Sequence, residues 1–366
     1  MPRNPAAWLI TTARNRAIDR LRSERSRSAS EIARLRTLEE AAIDSPFDES
    51  GPPIPDERLG LIFACCHPSL AREAQVTLTL RLVAGLTVPE VSRALLTPPA
   101  TIAQRLVRAK RKIRDAAIPI AEPPPEQLPD RIDAVLTVLY LIYTEGHTAT
   151  GGDGLRRDDV AEEAIRLAEV LHGLMPDEAE PTALLALMTL HHARRAARTG
   201  ADGALVLLGD QDRGLWDREA IGRGTALVER SLRMRRPPGR YALEAAIAAL
   251  HAEAPAAADT DWPQILAIYD ELRRAAPSPV VDLNRAVALG EVAGPQAALD
   301  AVDALVADGR LGGYAPLHAA RADLLRRLGR AGEATEAYAL AAGLAGNAAE
   351  RDFLAGRAQP GSAGTA

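Results

Sequence analysis

The segment 86–114 constrains the fold more than any other part of the sequence, because two helix starts follow one another closely within it. Thr87 and Glu90 have the spacing of a capping box, in which each side chain bonds the other residue's backbone N–H, so a helix is expected to begin there. Thr97 followed by Pro98 predicts a second helix, with Thr97 as its cap and Pro98 at its first position. The short break between them is the spacing of a helix-turn-helix.

The second of these helices is expected to have an apolar face and a basic face. Apolar side chains recur at helical spacing, at Ile102, Leu106, Ala109 and Ile113. The opposite face carries Thr101, Gln104, Arg105, Arg108, Arg111 and Lys112. When such a helix enters the major groove, its N-terminal residues meet base edges, where glutamine pairs with adenine and arginine with guanine, and basic residues further along contact phosphates. We therefore predict that this face binds DNA; the alternative is a solvated face on an ordinary helix.

The distribution of charge supports the prediction of a nucleic-acid-binding region. The whole chain has a net charge of −5, but residues 1–120 carry 19 Lys and Arg against 13 Asp and Glu, a net charge of +6. The remaining residues carry 25 against 36, a net charge of −11. A local basic excess is typical of nucleic-acid binders, and the acidic remainder could compete with DNA for it.

The composition favours an all-α fold of two or three domains for the 366 residues of the chain. Apolar residues make up 47% and aromatic residues only 3%, and much of the apolar fraction is alanine, a strong helix former. No apolar run approaches the ~20 residues needed to span a membrane, and no signal peptide is recognisable. A cytoplasmic protein without a membrane partner is therefore expected.

The sequence has none of the motifs of an enzyme, and neither a catalytic residue nor a cofactor is expected. The adjacent Cys65 and Cys66, followed by His67, lack the spacing of a zinc site, so buried free thiols and no metal are expected. The pair His191-His192 has no carboxylates at helical spacing and is expected to be structural. The run Thr144-Glu-Gly-His147 is ambiguous between a structural and a functional role.

Clusters of proline divide the sequence into helical units. Helices are expected at 56–67, 70–84, 87–96 and 98–114. The predicted division is 1–44 with a basic helix at 4–27, a linker at 45–55, a helical module at 56–117, a proline-rich linker at 118–129, an all-helical region at 130–358 and a disordered tail at 359–366.

The rear of the all-helical region shows weak internal similarity at an offset of 36 residues, since Arg285 matches Arg321 and Leu289 matches Leu325. Tetratricopeptide repeats have a period of about 34 residues, with small residues where the paired helices approach each other. A tetratricopeptide-like stack is therefore predicted for 240–350.

The basic helix at 4–27 contains the run Ala7-Trp-Leu-Ile-Thr-Thr-Ala-Arg-Asn-Arg-Ala-Ile-Asp-Arg-Leu-Arg22, which resembles the end of the second domain of extracytoplasmic-function (ECF) sigma factors. In that family this helix reads the −10 promoter element. Residues 56–114 are similar to the fourth sigma domain, which reads the −35 element. The resemblance implies −10 contacts from Asn15, Arg16, Asp19 and Arg22, and −35 contacts from Thr101, Gln104, Arg105 and Arg108. Core RNA polymerase and promoter DNA are the implied partners.

The chain further resembles a subgroup of these factors that has a tetratricopeptide-like C-terminal extension, through Asp56–Pro68, Ala103–Arg114 and Asp210–Trp216. This resemblance loosely implies that the extension contacts the sigma core, polymerase or another protein partner through Asp210, Gln211, Asp212, Arg213 and Trp216. The alternative is structural: Asp212 would cap the next helix and Trp216 would anchor the turn. Complete factors have several tens of residues before the tryptophan helix, so the N-terminal part of the second domain is expected to be missing.

These observations predict a sigma factor that directs promoter recognition and transcription initiation, with an extension that regulates activity or contacts partners. Two alternatives stay open. One is a one-component transcriptional regulator that binds DNA without polymerase, and the other is a helical-repeat interaction scaffold.

Overall fold

The computed structural model describes residues 54–359 except 120, 153 and 202. Over these residues the fold is all-α, as expected from a composition rich in helix-forming residues. Within these residues the structure contains fifteen α-helices, and the only extended pairing is one isolated bridge between Thr199 and Leu205. The predicted fold class is confirmed. The basic helix at 4–27, with Asn15, Arg16, Asp19 and Arg22, lies outside the described residues, as do most of the predicted linker at 45–55 and nearly all of the predicted tail.

The first four helices are α1 (Glu57–Cys65), α2 (Arg72–Leu82), α3 (Val88–Ala94) and α4 (Pro99–Asp115). The next five are α5 (Ile132–His147), α6 (Asp158–Leu174), α7 (Ala179–His192), α8 (Arg218–Met234) and α9 (Arg240–Glu253). The last six are α10 (Trp262–Ala275), α11 (Pro279–Ala293), α12 (Pro295–Asp308), α13 (Ala315–Arg327), α14 (Ala331–Leu344) and α15 (Ala348–Arg357). We refer to α1–α4 as the helix-turn-helix module and to α5–α15 as the C-terminal extension.

One apolar core extends from Ile54, in front of α1, to Ala252 in α9. It contains Phe63 of α1 and Leu80 of α2 together with Leu139 of α5, all fully buried. The helix α2 packs directly on α5. The helix-turn-helix module and the first helices of the C-terminal extension therefore share a core.

The proline-rich segment between α4 and α5 takes part in this contact. Leu128 is buried in the shared core, and the Glu122 carboxylate accepts a hydrogen bond from the backbone N–H of Ile54. A short 3-10 turn at Pro125–Gln127 precedes Leu128. The division of the chain into domains at this segment stays a prediction.

Polar contacts fix the edge of the shared core. The buried Arg131 donates from Nη1 to the carbonyl oxygen of Phe63 at 3.0 Å. Asp56, which caps α1, also accepts a hydrogen bond from Arg166 of α6 at 2.8 Å. Because solvent-exposed pairs contribute little free energy, we assign the contact between Asp56 and Arg166 mainly to alignment of the two parts.

The helices α10–α15 form a stack in which each helix packs chiefly on the next one in the chain. The end of this stack lies against the loop that follows α5. The buried Asn347 donates from Nδ2 to the carbonyl oxygen of Ala149 at 2.9 Å. A Cβ atom at Gly346 would overlap the carbonyl oxygen of Thr150, so a larger residue would push the two segments apart.

The shared core can be tested by Leu139→Ala. Since Leu139 is fully buried, the substitution is expected to lower the free energy of unfolding by about 2–5 kcal/mol, measured by urea denaturation with circular dichroism. Leu340→Ala in α14 is the control, because Leu340 is 50% exposed and should change stability by no more than about 0.5 kcal/mol. Two separate unfolding transitions, with the one for the helix-turn-helix module untouched by Leu139→Ala, would contradict a shared core.

Candidate nucleic-acid interface

The helix α3 begins with the predicted capping box. The Thr87 side chain accepts a hydrogen bond from the backbone N–H of Glu90 at 3.4 Å, and the Glu90 carboxylate accepts one from the backbone N–H of Thr87 at 2.6 Å. Burial alone would raise the pKa of Glu90, but the bonds from the Thr87 hydroxyl and N–H hold this pKa below its ordinary value. On the other side of α3, Val91 is fully buried.

The turn between α3 and α4 differs from the sequence prediction by one residue. Thr97 does not cap α4; its hydroxyl donates to the carbonyl oxygen of Leu95 at 2.9 Å. Pro98 is the cap residue, and Pro99 is the first residue of the helix. The reason is that a residue followed by proline avoids the helical region, so Pro99 holds Pro98 in an extended conformation, with φ −54° and ψ 141°.

The recognition helix α4 is held by its apolar face. Ile102 and Ala109 are buried, and the half-buried Leu106 and Ile113 pack against the apolar clusters beneath them. The helix packs on both α2 and α3. The apolar positions predicted from the sequence are therefore the ones that attach α4 to the module.

The opposite face of α4 reaches solvent. Gln104, Arg108, Arg111 and Lys112 are exposed, and Thr101 and Arg105 are partly exposed. Val107, which the sequence reading did not single out, is 67% exposed on the same helix. The six residues proposed for contacts with the −35 element thus lie on one accessible helix.

These polar side chains differ in the ion pairs and hydrogen bonds that they already form within the protein. Among the described residues, Arg105 and Arg108 form no ion pair. Arg111 pairs with Asp115 at 3.1 Å, and the Lys112 ammonium donates to the carbonyl oxygen of Ser69. Arg105 and Arg108 therefore have donors available for a ligand, whereas Arg111 and Lys112 would have to exchange an existing contact.

The cysteine pair is structural, as the sequence indicated. Cys65 and Cys66 are free and buried, and they belong to different apolar clusters, as expected for neighbours that point to different faces of a helix. Burial raises the pKa of Cys65 to about 11 and that of Cys66 to about 12. Both thiols are therefore protonated and poorly reactive at neutral pH.

The run Asp210–Trp216 lies in the C-terminal extension, between α7 and α8. Asp212 accepts a hydrogen bond from Gly214 and caps a short 3-10 turn, whereas Asp217 caps α8, so the expectation that Asp212 caps that helix is wrong. Trp216 is only 3% exposed and anchors the segment. Because Gln211 is also buried, Asp210 and Asp212 are the residues of this run best placed to meet an external partner.

The structure brings together residues that sequence reasoning singled out separately, namely His147, His191, Arg213 and Trp216, and adds Arg198 and His251, which it missed. Arg194 and Arg213 lie over the Trp216 ring, and Arg198 and the three histidines lie close to these arginines. Their sequence positions span more than a hundred residues, so no local motif marks them as one group. The high density of arginine after the His191-His192 pair was the available signal.

Comparison with known proteins agrees with this geometry. Residues 61–113 match sigma-70 region 4, and residues 131–232 match a family of unknown function, DUF6596. An uncharacterized protein of Rhizobium meliloti (strain 1021) is 42% identical over 354 residues, which is 96% of this chain and 83% of that protein. No solved structure matches the chain. The chain belongs to the same family as the rhizobial protein and carries a region 4 domain of sigma-70 type.

Region 4 of sigma-70 factors is a non-enzymatic DNA-binding domain, so the match indicates a sigma-factor-like role that involves promoter DNA and RNA polymerase. The matched residues comprise most of α1, all of α2 and α3, and α4 as far as residue 113. No helix in the described ranges is long and apolar enough to cross a membrane.

The capping box can be tested by Thr87→Ala. Loss of the cap is expected to lower the free energy of unfolding by about 1 kcal/mol, measured by urea denaturation, because α3 loses a hydrogen bond at its N-terminus. Thr87→Ser keeps the hydroxyl and is the matched control, expected to retain most of the stability. Equal destabilisation by the two variants would show that the hydroxyl does not support the helix.

Proposed function

We propose that the protein is an RNA polymerase sigma factor of the ECF type, in which α4 reads the −35 promoter element. The observation that supports this best is the accessible polar face of α4, in a module that matches sigma-70 region 4. In this proposal the chain supplies promoter recognition, and core polymerase supplies the chemistry of transcription initiation.

Position along α4 separates the proposed base contacts from the proposed phosphate contacts. Thr101, Gln104 and Arg105 lie in the first two turns of the helix, the part that meets base edges when a recognition helix enters the major groove. Arg108 lies one turn further along, where a cation is suited to phosphate. Arg111, near the end of the helix, would contribute mainly through its charge, since it already pairs with Asp115.

A second promoter contact is proposed for the basic N-terminal segment. Asn15, Arg16, Asp19 and Arg22 resemble the residues that read the −10 element, and they lie outside the described residues. The sequence resemblance and the basic excess of residues 1–120 support this part of the proposal.

A tetratricopeptide-like arrangement is proposed for the rear of the C-terminal extension. Arg285 of α11 pairs with Asp270 of α10 at 2.6 Å, and the matching Arg321 of α13 pairs with Asp303 of α12 at 2.6 Å. The same contact thus recurs between successive helix pairs, at the arginines that are 36 residues apart in the sequence. This recurrence and the neighbour-to-neighbour packing of α10–α15 support a repeat architecture.

We further propose that the C-terminal extension regulates promoter recognition. It shares a core with the helix-turn-helix module, so any partner that shifts α5 also shifts α2, on which α4 packs. A protein partner would be able to meet the extension at the exposed Asp210 and Asp212.

The proposed base contact can be tested by Arg105→Ala and the phosphate contact by Arg108→Ala. The first is expected to weaken binding of a −35 DNA fragment by reconstituted holoenzyme by about 1–3 kcal/mol and to relax the base preference at one position. The second is expected to weaken binding to all sequences and to reduce the salt slope of log K by about 1. Fluorescence anisotropy titrations over a range of salt concentrations measure both effects.

Arg233→Ala in α8 is the matched control, since this arginine is 70% exposed at its side chain and lies outside the helix-turn-helix module. It should bind as wild type does. If the double variant Arg105→Ala with Arg108→Ala bound DNA like wild type at low salt, α4 would not be the DNA-binding element. Equally tight, specific binding by the chain without polymerase would instead favour a one-component regulator.

A further inference from the structure

The C-terminal extension contains a group of cationic side chains that the proposed promoter contacts do not use. We define the cationic cluster as Arg194 and Arg198, which follow α7, and Arg213, which precedes α8, together with Trp216. Three histidines lie beside it, His147 at the end of α5, His191 in α7 and His251 in α9. Segments far apart in the chain are therefore brought together beside Arg194 and the Trp216 ring.

Two guanidinium groups lie over the Trp216 ring. The Arg213 guanidinium carbon is 4.4 Å from the ring centroid, and that of Arg194 is 5.8 Å away. The ring is 3% exposed, and its indole N–H has no hydrogen-bond acceptor among the described residues. Buried N–H groups normally have an acceptor, so the cluster contains an unused donor at its centre.

The arginines are held in place by different contacts. Arg213 donates from Nη1 to the carbonyl oxygens of His251 and Ala254, at 2.8 and 2.7 Å. Arg198 donates to the His147 carbonyl oxygen and, at 2.8 Å, to the Thr148 hydroxyl.

Arg194 is the least satisfied of the three arginines. Its Nη2 contacts Nδ1 of His191 at 2.8 Å, and its other N–H groups make no hydrogen bond to the described residues. The site is therefore built around a guanidinium with free donors.

No carboxylate forms an ion pair with the cluster within the described part of the chain, although Glu350 lies near Arg198 and Asp259 lies near Arg213. None of the three arginines has a carboxylate oxygen there within 4.0 Å. By contrast, Arg285, Arg321 and Arg327 of the stack each pair with a carboxylate at 2.6 Å. Glu350 is the charged neighbour of Arg198, and burial raises the pKa of this carboxyl, which weakens it as a counter-charge.

The positive charge of the cluster resides on the arginines. Burial lowers the pKa of His147 and His191 well below the ordinary value, and lowers that of His251 to about 4, so these imidazoles are neutral at pH 7. Arginine stays protonated, since even the pKa of Arg198, which burial lowers, is about 10. Neutral histidines can accept or donate hydrogen bonds without adding repulsion.

We propose that the cationic cluster is a binding site for a small oxyanion, a phosphate or carboxylate group of a soluble metabolite. Unpaired charges are costly in a partly desolvated site, and an oxyanion in contact with Arg194 and Arg213 would supply the missing counter-charge. Guanidinium groups bind such oxyanions in bidentate fashion. The indole N–H of Trp216 would supply a further donor, and the limited exposure of the cluster residues restricts the ligand to a small group.

The inference is independent of DNA binding and can be tested on the purified full chain with inorganic phosphate and succinate as probes. Isothermal titration calorimetry and thermal unfolding, at constant ionic strength set with sodium chloride, are expected to show binding of at least one probe and a rise in melting temperature. A response to phosphate without one to succinate assigns a phosphate ligand, and the reverse assigns a carboxylate.

Arg194→Gln removes the least satisfied guanidinium and is expected to weaken binding of the probe on the order of tenfold. Without the probe, this variant should melt close to wild type, because removal of a repulsive charge offsets the loss of the contacts with Trp216 and His191. Arg223→Gln is the matched control, since Arg223 is exposed on α8 and pairs with Glu219 at 2.6 Å. It should keep both the affinity and the thermal response.

Trp216→Phe provides a second variant that keeps a ring in the core and removes only the indole N–H. It is expected to fold and to bind the probe several-fold more weakly. The inference is overturned if neither probe binds wild type beyond chloride, or if Arg194→Gln and Trp216→Phe both bind with wild-type affinity. A melting temperature of Arg194→Gln well below wild type in the absence of probe would also count against it, as that result indicates a structural arginine.

Discussion

The burial of the middle of α2 on all sides is the constraint on which the rest of the structure depends. Six consecutive residues of this helix, Gln75–Leu80, are buried, which an amphipathic surface helix does not show. Its main neighbours are α4 of the helix-turn-helix module and α5 of the C-terminal extension. The buried hydroxyl of Thr79 donates to the carbonyl oxygen of Gln75, so it keeps a hydrogen-bond partner although it has no access to solvent. The helix-turn-helix module is therefore completed by the extension.

The packing of α4 on the buried helix α2 determines which face of α4 is exposed to solvent. Ile102 and Ala109 are fixed against the core, so the polar residues at the other side of the helix remain in contact with solvent. The same arrangement connects the extension to α4 by direct packing, through α5 and α2. The loop after α5 lies beside the end of the stack, through Asn347, and beside the cationic cluster, through the bond from Arg198 to Thr148. The stack, the cationic cluster and α4 are thus connected by packed segments.

The features that could be predicted from the sequence depend on residues that lie close together in the chain. The capping box at Thr87 and Glu90 and the apolar spacing of α4 depend on residues a few positions apart, and both occur as predicted. The start of α4 was misplaced by one residue because two consecutive prolines compete for the first helical position, and the second one excludes the first from the helix. The helix cap at Asp217 was assigned to Asp212 for a similar reason, since both aspartates precede possible helix starts.

The remaining features depend on contacts between distant residues. Prolines in the segment 118–129 were visible, but the burial of Leu128 against the helix-turn-helix module was not. The cationic cluster joins Arg194 and Arg213 with His147 and His251, and these residues lie in four separate segments of the sequence. Such sites are created by the packing of α5, α7, α8 and α9, and no periodic pattern in the sequence predicts them.

The central claim is that the polar face of α4 lies against promoter DNA while the C-terminal extension stays in place behind it. Site-specific photocrosslinking in reconstituted holoenzyme on a promoter fragment tests this claim most directly, with the photoreactive group at position 104 on α4 or at position 139 in the shared core. We predict crosslinks to the −35 segment from position 104, and crosslinks only within the protein from position 139. Crosslinks from position 104 to protein alone, or to DNA from both positions, would contradict the account.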